Sequence, residues 1–95
     1  MNNYEMLYII DSGCEGEKRD ALISKFEAVV INGSGTVGKI DKWGIKKLAY
    51  PINFKNEGFY VLMTFSASPA AVKEIDRLAG LTDEVVRRMI IKNEN

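Results

Sequence analysis

Phe59, Val61, Met63, Phe65 and Ala67 alternate with Tyr60, Leu62, Thr64 and Ser66. A period of two sustained over that length fits an extended strand, whose successive side chains leave on opposite faces. The first set is unbrokenly apolar and requires a layer packed against it. The second carries hydroxyls, yet Tyr60 and Leu62 stand among them. Whatever this chain folds into must therefore cover one face of a sheet fully and leave the other with apolar groups on view.

The flanking sequence supplies the layer. Ser68 is a good N-cap and Pro69 a good first helical residue; Val72, Ile75, Leu78 and Ala79 then form an apolar stripe, and Gly80 is the expected stop. Upstream, Leu22, Ile23, Phe26, Val29 and Val30 make a second stripe behind Glu15 and Glu17, ended by Asn32-Gly33. Tyr4 to Ile10 and Val85 to Ile91 are rich in β-branched or aromatic residues and read as strands. Thr36 to Tyr50 reads as a long strand with bulges or bends at Gly38 and Gly44, and Pro51 to Glu57 as the loop that returns it.

The element order is β-α-β-β-α-β. In an α+β chain this is the ferredoxin-like split arrangement: a four-stranded antiparallel sheet with two helices on one face. At 95 residues and 46% hydrophobic content, residues 1–95 form a single domain with a modest core. The first and third strands are central in this topology. Their open face shows Leu7 and Ile9 on one, Tyr60 and Leu62 on the other, and contiguous apolar groups on an otherwise solvated face point to a partner.

Catalysis has little material. The chain has no histidine and one cysteine, Cys14, without an evident activating base, so no catalytic residue and no metal site are expected. Gly33-Ser34-Gly35-Thr36-Val37-Gly38 matches the G-x-G-x-x-G pattern by letter. It leaves a helix and enters a strand, the reverse of what a dinucleotide site needs, so its glycines are read as turn formers. Gly13 to Arg19 follows the first strand as an anion-binding loop does, but Glu15 and Glu17 would repel an anion. No cofactor and no small-molecule substrate are expected. Met1 to Ile10 lacks a signal peptide's basic-then-apolar order, and no apolar run approaches a membrane span, so the expectation is a cytoplasmic protein with no membrane contact.

Thirteen basic residues balance thirteen acidic ones, so any polyanion contact must come from local segregation of charge. Two basic doublets offer it, Lys46-Lys47 and Arg87-Arg88. Adjacent strand residues point to opposite faces, so a doublet decorates one side only where a bulge intervenes. Charge logic alone leaves each open between a solvated edge that discourages aggregation and a phosphate contact. Gly58-Phe59 lies where RNA-recognition motifs of the same topology carry stacking aromatics, but Glu57 takes the place of a basic residue and only Tyr60 faces outward as a platform.

Tyr4-Glu5 with Tyr8-Ile9-Ile10, Trp43-Gly44-Ile45-Lys46-Lys47-Leu48-Ala49-Tyr50-Pro51-Ile52, Glu57-Gly58-Phe59-Tyr60, and Val86-Arg87 with Met89 together resemble the bacterial ribosomal protein six of the small subunit, from about Tyr4 to Lys92. That family's fold is the split arrangement already read from periodicity. The resemblance implies a non-catalytic RNA-binding protein of the ribosome, monomeric when isolated. Its partners would be the central domain of small-subunit ribosomal RNA and a small basic protein, number eighteen of the same subunit. It implies that Lys46, Lys47, Arg87 and Arg88 lie at RNA contacts, and that Leu7, Ile9, Tyr60, Leu62 and Met89 meet the partner protein. Where many members carry basic residues after the first methionine this chain has Asn2 and Asn3, which offer hydrogen bonds but no charge. The alternative of another class is a ligand-sensing or dimerising regulatory domain of the same topology.

Overall fold

The computed structural model describes residues 2–52 and 55–93. The elements are β1 (Asn2–Asp11), α1 (Gly16–Asn32), β2 (Thr36–Ile52), β3 (Lys55–Ala67), α2 (Pro69–Leu81) and β4 (Val85–Asn93). They form a four-stranded sheet in the order β2-β3-β1-β4, every described pairing antiparallel. The expected topology is present, with β1 and β3 central.

The core lies between the sheet and the two helices. Tyr4, Met6, Tyr8 and Ile10 of β1 and Phe59, Val61, Met63 and Phe65 of β3 bury against Ile23, Phe26 and Val30 of α1 and Ala71, Ile75 and Ala79 of α2. The alternation that marks β3 in the sequence is thus its division between core and open face. Tyr8 and Phe26 meet edge to face at 5.2 Å, and Tyr4 stacks on Phe65 at 5.6 Å. The Tyr8 hydroxyl is buried without a hydrogen-bond partner among the described residues. Burial, and secondarily Glu27, push this phenol well above its ordinary pKa.

A titration prediction follows from that shift. A phenol whose folded pKa is raised keeps its contribution below the unfolded value of about 10 and loses it as the pH climbs beyond. Tyr8→Phe is expected to hold or raise stability at neutral pH by up to about 1 kcal/mol, because it removes an unpaired buried hydroxyl. It should also flatten the fall in stability above about pH 10. Urea unfolding of both proteins at neutral and alkaline pH checks it.

The structure differs from sequence expectation at three junctions. Strands β2 and β3 run to Ile52 and from Lys55, so most of the segment read as the loop Pro51 to Glu57 is paired strand; Asn53 and Phe54 lie outside the described residues. Helix α2 passes through Gly80 to Leu81 and closes at Thr82, whose hydroxyl donates to the Leu78 carbonyl at 2.7 Å. A side chain that satisfies a terminal carbonyl does the work expected of the glycine. At the end of α1 the left-handed residue is Ser34, with φ 67, and neither neighbouring glycine. Ser34 N–H donates to the Ile31 carbonyl and Gly35 N–H to that of Val30, the bonding of a Schellman cap with serine in the position that favours glycine. Ser34→Gly is therefore expected to stabilise the protein by about 0.5–1 kcal/mol, read as an increase in denaturation midpoint.

Both bulges foreseen in β2 occur, as register shifts between Val37 and Lys39 and between Lys42 and Gly44. Gly44 takes φ 86 at the second, a conformation that suits glycine. That bulge decides which side chains of β2 reach the open face.

Candidate protein and nucleic-acid interface

Strand register fixes the open face. Thr36, Ser66, Asn3 and Asn93 form a neutral polar row at one end of the sheet. Lys39, Thr64, Glu5 and Ile91 come next, and then Asp41, Leu62, Leu7 and Met89. Gly44, Tyr60, Ile9 and Arg87 follow, and Lys46 lies opposite Gly58 beyond them. Polar groups therefore occupy one end, apolar groups the middle, and two cations the far end.

The apolar middle is larger than the sequence shows. Leu7, Ile9, Tyr60, Leu62 and Met89, the residues expected to meet a partner protein, do lie together on this face. Three more join them. Trp43, at the bulge, lays its ring parallel to Tyr60, with centroids 6.3 Å apart and an interplanar angle of 11°. Ile91 follows Met89 on β4, and they are 47% and 46% exposed, respectively. Leu48 packs near Gly58, whose absent side chain leaves room for Ile9: a Cβ on Gly58 would stand 2.2 Å from Ile9 Cγ2 and 3.6 Å from Leu48 Cδ2. Both Ile9 and Leu48 are buried yet stand outside the core cluster that lies between sheet and helices, so they pack on this side of the sheet. Ile91 was available to alternation. Trp43 was not, since its direction depends on the bulge.

The basic doublets divide. No register shift separates Lys46 from Lys47, so they take opposite faces: Lys46 lies opposite Gly58 on the open side, and Lys47 opposite Glu57 on the helix side. Lys46 Nζ sits 5.3 Å from the centroid of the Trp43 ring, a cation–π contact that aims the ammonium along the open face. Arg87 neighbours Ile9 and lines a depression with Leu7, Ile9, Tyr60 and Met89, to which the adjoining Arg88 also contributes although its guanidinium is engaged elsewhere. Arg88 points to the helix side. Its Nε donates to Asp76 Oδ1 at 2.8 Å, and its guanidinium lies against α2 where a Cβ on Gly80 would come within 3.1 Å of it. Lys46 and Arg87 thus share the apolar face and its end; Lys47 and Arg88 do not.

Elsewhere the loop after β1 is as acidic as its sequence. Asp11, Cys14, Glu15 and Glu84 surround Lys18, which pairs with Glu84 at 3.1 Å; that contact raises the lysine pKa and lowers that of the carboxyl. Among the described residues no group of three or more His, Cys, Asp and Glu side chains is placed to hold a metal ion, and no helix is long and apolar enough to cross a membrane.

An antiparallel ferredoxin-like sheet with one face covered and the other apolar is shared by many proteins, and comparison with known ones separates them. The model of the family described as ribosomal protein S6 matches residues 3–92. The chain belongs to the ribosomal protein S6 family. It is 51% identical over 92 residues to the small ribosomal subunit protein bS6 of Desulforamulus reducens, covering 97% of each chain. To the same protein of Alkaliphilus oremlandii it is 48% identical over 94 residues, covering 99% of each. The crystal structure of 30S ribosomal protein S6 from Thermotoga maritima superposes with a TM-score of 0.91 at 25% identity, over 97% of this chain and 87% of that one. The fold and the family read from the sequence are both found, and membership places the chain among the proteins of the small ribosomal subunit.

Proposed function

We propose that the protein is a structural, non-catalytic component of the small ribosomal subunit in the bacterial cytoplasm. In this reading its open sheet face docks the small basic ribosomal protein eighteen, and the end of that face marked by Lys46 and Arg87 meets the central domain of small-subunit ribosomal RNA. The observation that carries it is the pairing of an apolar face with cations at one end, on a chain of zero formal net charge. An exposed patch of this kind marks an interaction surface. A chain with so few cations on that face gains little counterion release by itself, so the partner must bring positive charge. Family membership favours this reading over a ligand-sensing domain.

The test is a salt titration of RNA binding by the protein, by protein eighteen, and by the two together. The protein alone is expected to bind barely at physiological salt, and the pair tightly, because both contribute contacts to one composite surface. Tight binding by this protein alone would overturn the reading.

The split of the doublets refines it. Lys46→Ala should leave thermal stability nearly unchanged, since an exposed lysine contributes little to folding. It should lower the salt slope of the pair's RNA binding by about one unit. Lys47 reaches a phosphate only around the edge of β2, and Arg88 is engaged by Asp76, so Lys47→Ala and Arg88→Ala are expected to change that slope less. Equal effects from all three would remove the distinction between the faces.

A further inference from the structure

Glu5 stands on the open face on central strand β1, where the neutral polar end meets the apolar middle, between Thr64 of β3 and Ile91 of β4 and next along its own strand to Leu7. It is half-buried, and its carboxylate has no ion-pair or hydrogen-bond partner among the described residues. The nearest like feature is Asp41, across Leu62 in the adjoining row, whose own neighbour Lys39 lies at 3.8 Å. The apolar surface predicted to be covered is therefore bordered by two carboxylates, of which Asp41 has Lys39 beside it and Glu5 has no such neighbour, while Lys46 and Arg87 stand toward the opposite end.

From this arrangement we propose that Glu5 is a binding residue: it receives an arginine or lysine side chain of the protein that covers the sheet, and fixes that protein's register on Leu7, Leu62, Met89 and Ile91. The inference rests on the reading that a basic protein docks here and names the contact through which its charge is recognised. Covering this face removes the remaining water from a carboxylate, and an uncompensated buried charge is strongly unfavourable, so the occupant must supply a donor at that point. A nucleic acid fits poorly: its base amino groups can donate to a carboxylate, but its phosphates would be repelled by Glu5 and Asp41 alike. A second copy of this chain does so less readily, since its Lys39 is already beside its own Asp41 and its other open-face cations, Lys46 and Arg87, lie toward the far end. An arginine fits best: its planar fork pairs both carboxylate oxygens, and its flat faces tolerate the apolar surroundings.

The test uses the intact protein and purified small-subunit protein eighteen from the same source, with affinity measured against salt for wild type, Glu5→Gln and Glu5→Lys. Glu5→Gln keeps the shape and removes the charge, and equal unfolding midpoints establish that it folds. It is expected to weaken binding by about 30-fold or more, the loss typical of truncating one member of a covered charge pair, and to reduce the salt dependence. Glu5→Lys should abolish binding, and one Arg→Glu or Lys→Glu variant of the partner should restore it. Wild-type binding with undiminished affinity of Glu5→Gln overturns this inference and leaves the docking reading intact. No binding by the wild-type protein at any salt overturns the docking reading and this inference with it. Tighter RNA binding, or new self-association, by Glu5→Gln alone would assign the face to nucleic acid or to a second copy, and overturns the inference as well.

Discussion

Gly35→Ala is expected to be the most destabilising single-methyl change available in the chain. Gly35 joins α1 to β2 where both press on the end of β3. A Cβ there would stand 2.5 Å from the Ser66 carbonyl oxygen, 2.9 Å from the Val30 carbonyl oxygen and 2.9 Å from Val30 Cγ1. Two of these three are backbone atoms, so no rotamer change relieves the clash. The same residue donates its N–H to Val30 at 2.8 Å in the cap of α1, so moving it aside sacrifices that bond and shifts the first residues of β2. Overpacking a well-packed site costs about 1–3 kcal/mol, and loss of the cap bond adds about 1 kcal/mol. A combined loss of about 3 kcal/mol would be a large part of the stability of so small a domain. Chemical denaturation measures it. A change of less than about 1 kcal/mol would mean that the helix-to-strand junction yields far more easily than these distances allow.

Gly35 belongs to the glycine pattern that imitates a nucleotide loop, and it shows what the sequence can and cannot disclose. Element order alone established that the pattern is a turn, because its glycines leave a helix and enter a strand. Which glycine is constrained by what is a tertiary matter: Ser34, not a glycine, takes the left-handed conformation, while Gly35 is small because β3 passes close by. The strand from Phe59 to Ala67 was fully legible, since burial on one face enforces a period of two. The pairing of Ile52 with Lys55 was not. Pro51, Asn53 and Asn56 read locally as loop residues, whereas pairing between the two strands continues across Ile52 and Lys55.

The site divides in the same way. Leu7, Ile9, Tyr60, Leu62 and Met89 were legible as one face because no register shift interrupts the alternation across them; the shift between β1 and β4 falls only after Ile9. Trp43 lies at, and Lys46 beyond, a bulge whose occurrence Gly44 announces but whose effect on direction only the register reveals. Glu5 shares the alternation of Leu7 and Ile9 and so was placed by it, yet its lack of a partner appears only once Thr64 and Ile91 are seen beside it.

Leu62→Asp is the complementary prediction, with its large effect on association. Leu62 is central on the open face, directly between Asp41 and Leu7, on the side that no helix covers. The substitution sets a new carboxylate opposite Asp41, and like charges across a strand pair cost about 0.2–1 kcal/mol. Folding is therefore expected to survive with that modest loss. Docking is not: the partner would have to cover a third carboxylate where an apolar side chain stood, at a cost of at least about 2 kcal/mol, or about 30-fold in affinity. Association with protein eighteen and cooperative RNA binding should fail together, while the weak salt-sensitive RNA binding of the isolated protein stays as it was. The comparison with Lys46→Ala separates the two parts of the surface, since that change should spare association with protein eighteen and lower only the RNA term. If Leu62→Asp leaves association intact, the partner does not sit on this face; if it prevents folding, Leu62 supports the small apolar cluster of Ile9 and Leu48 more than its half-buried position indicates.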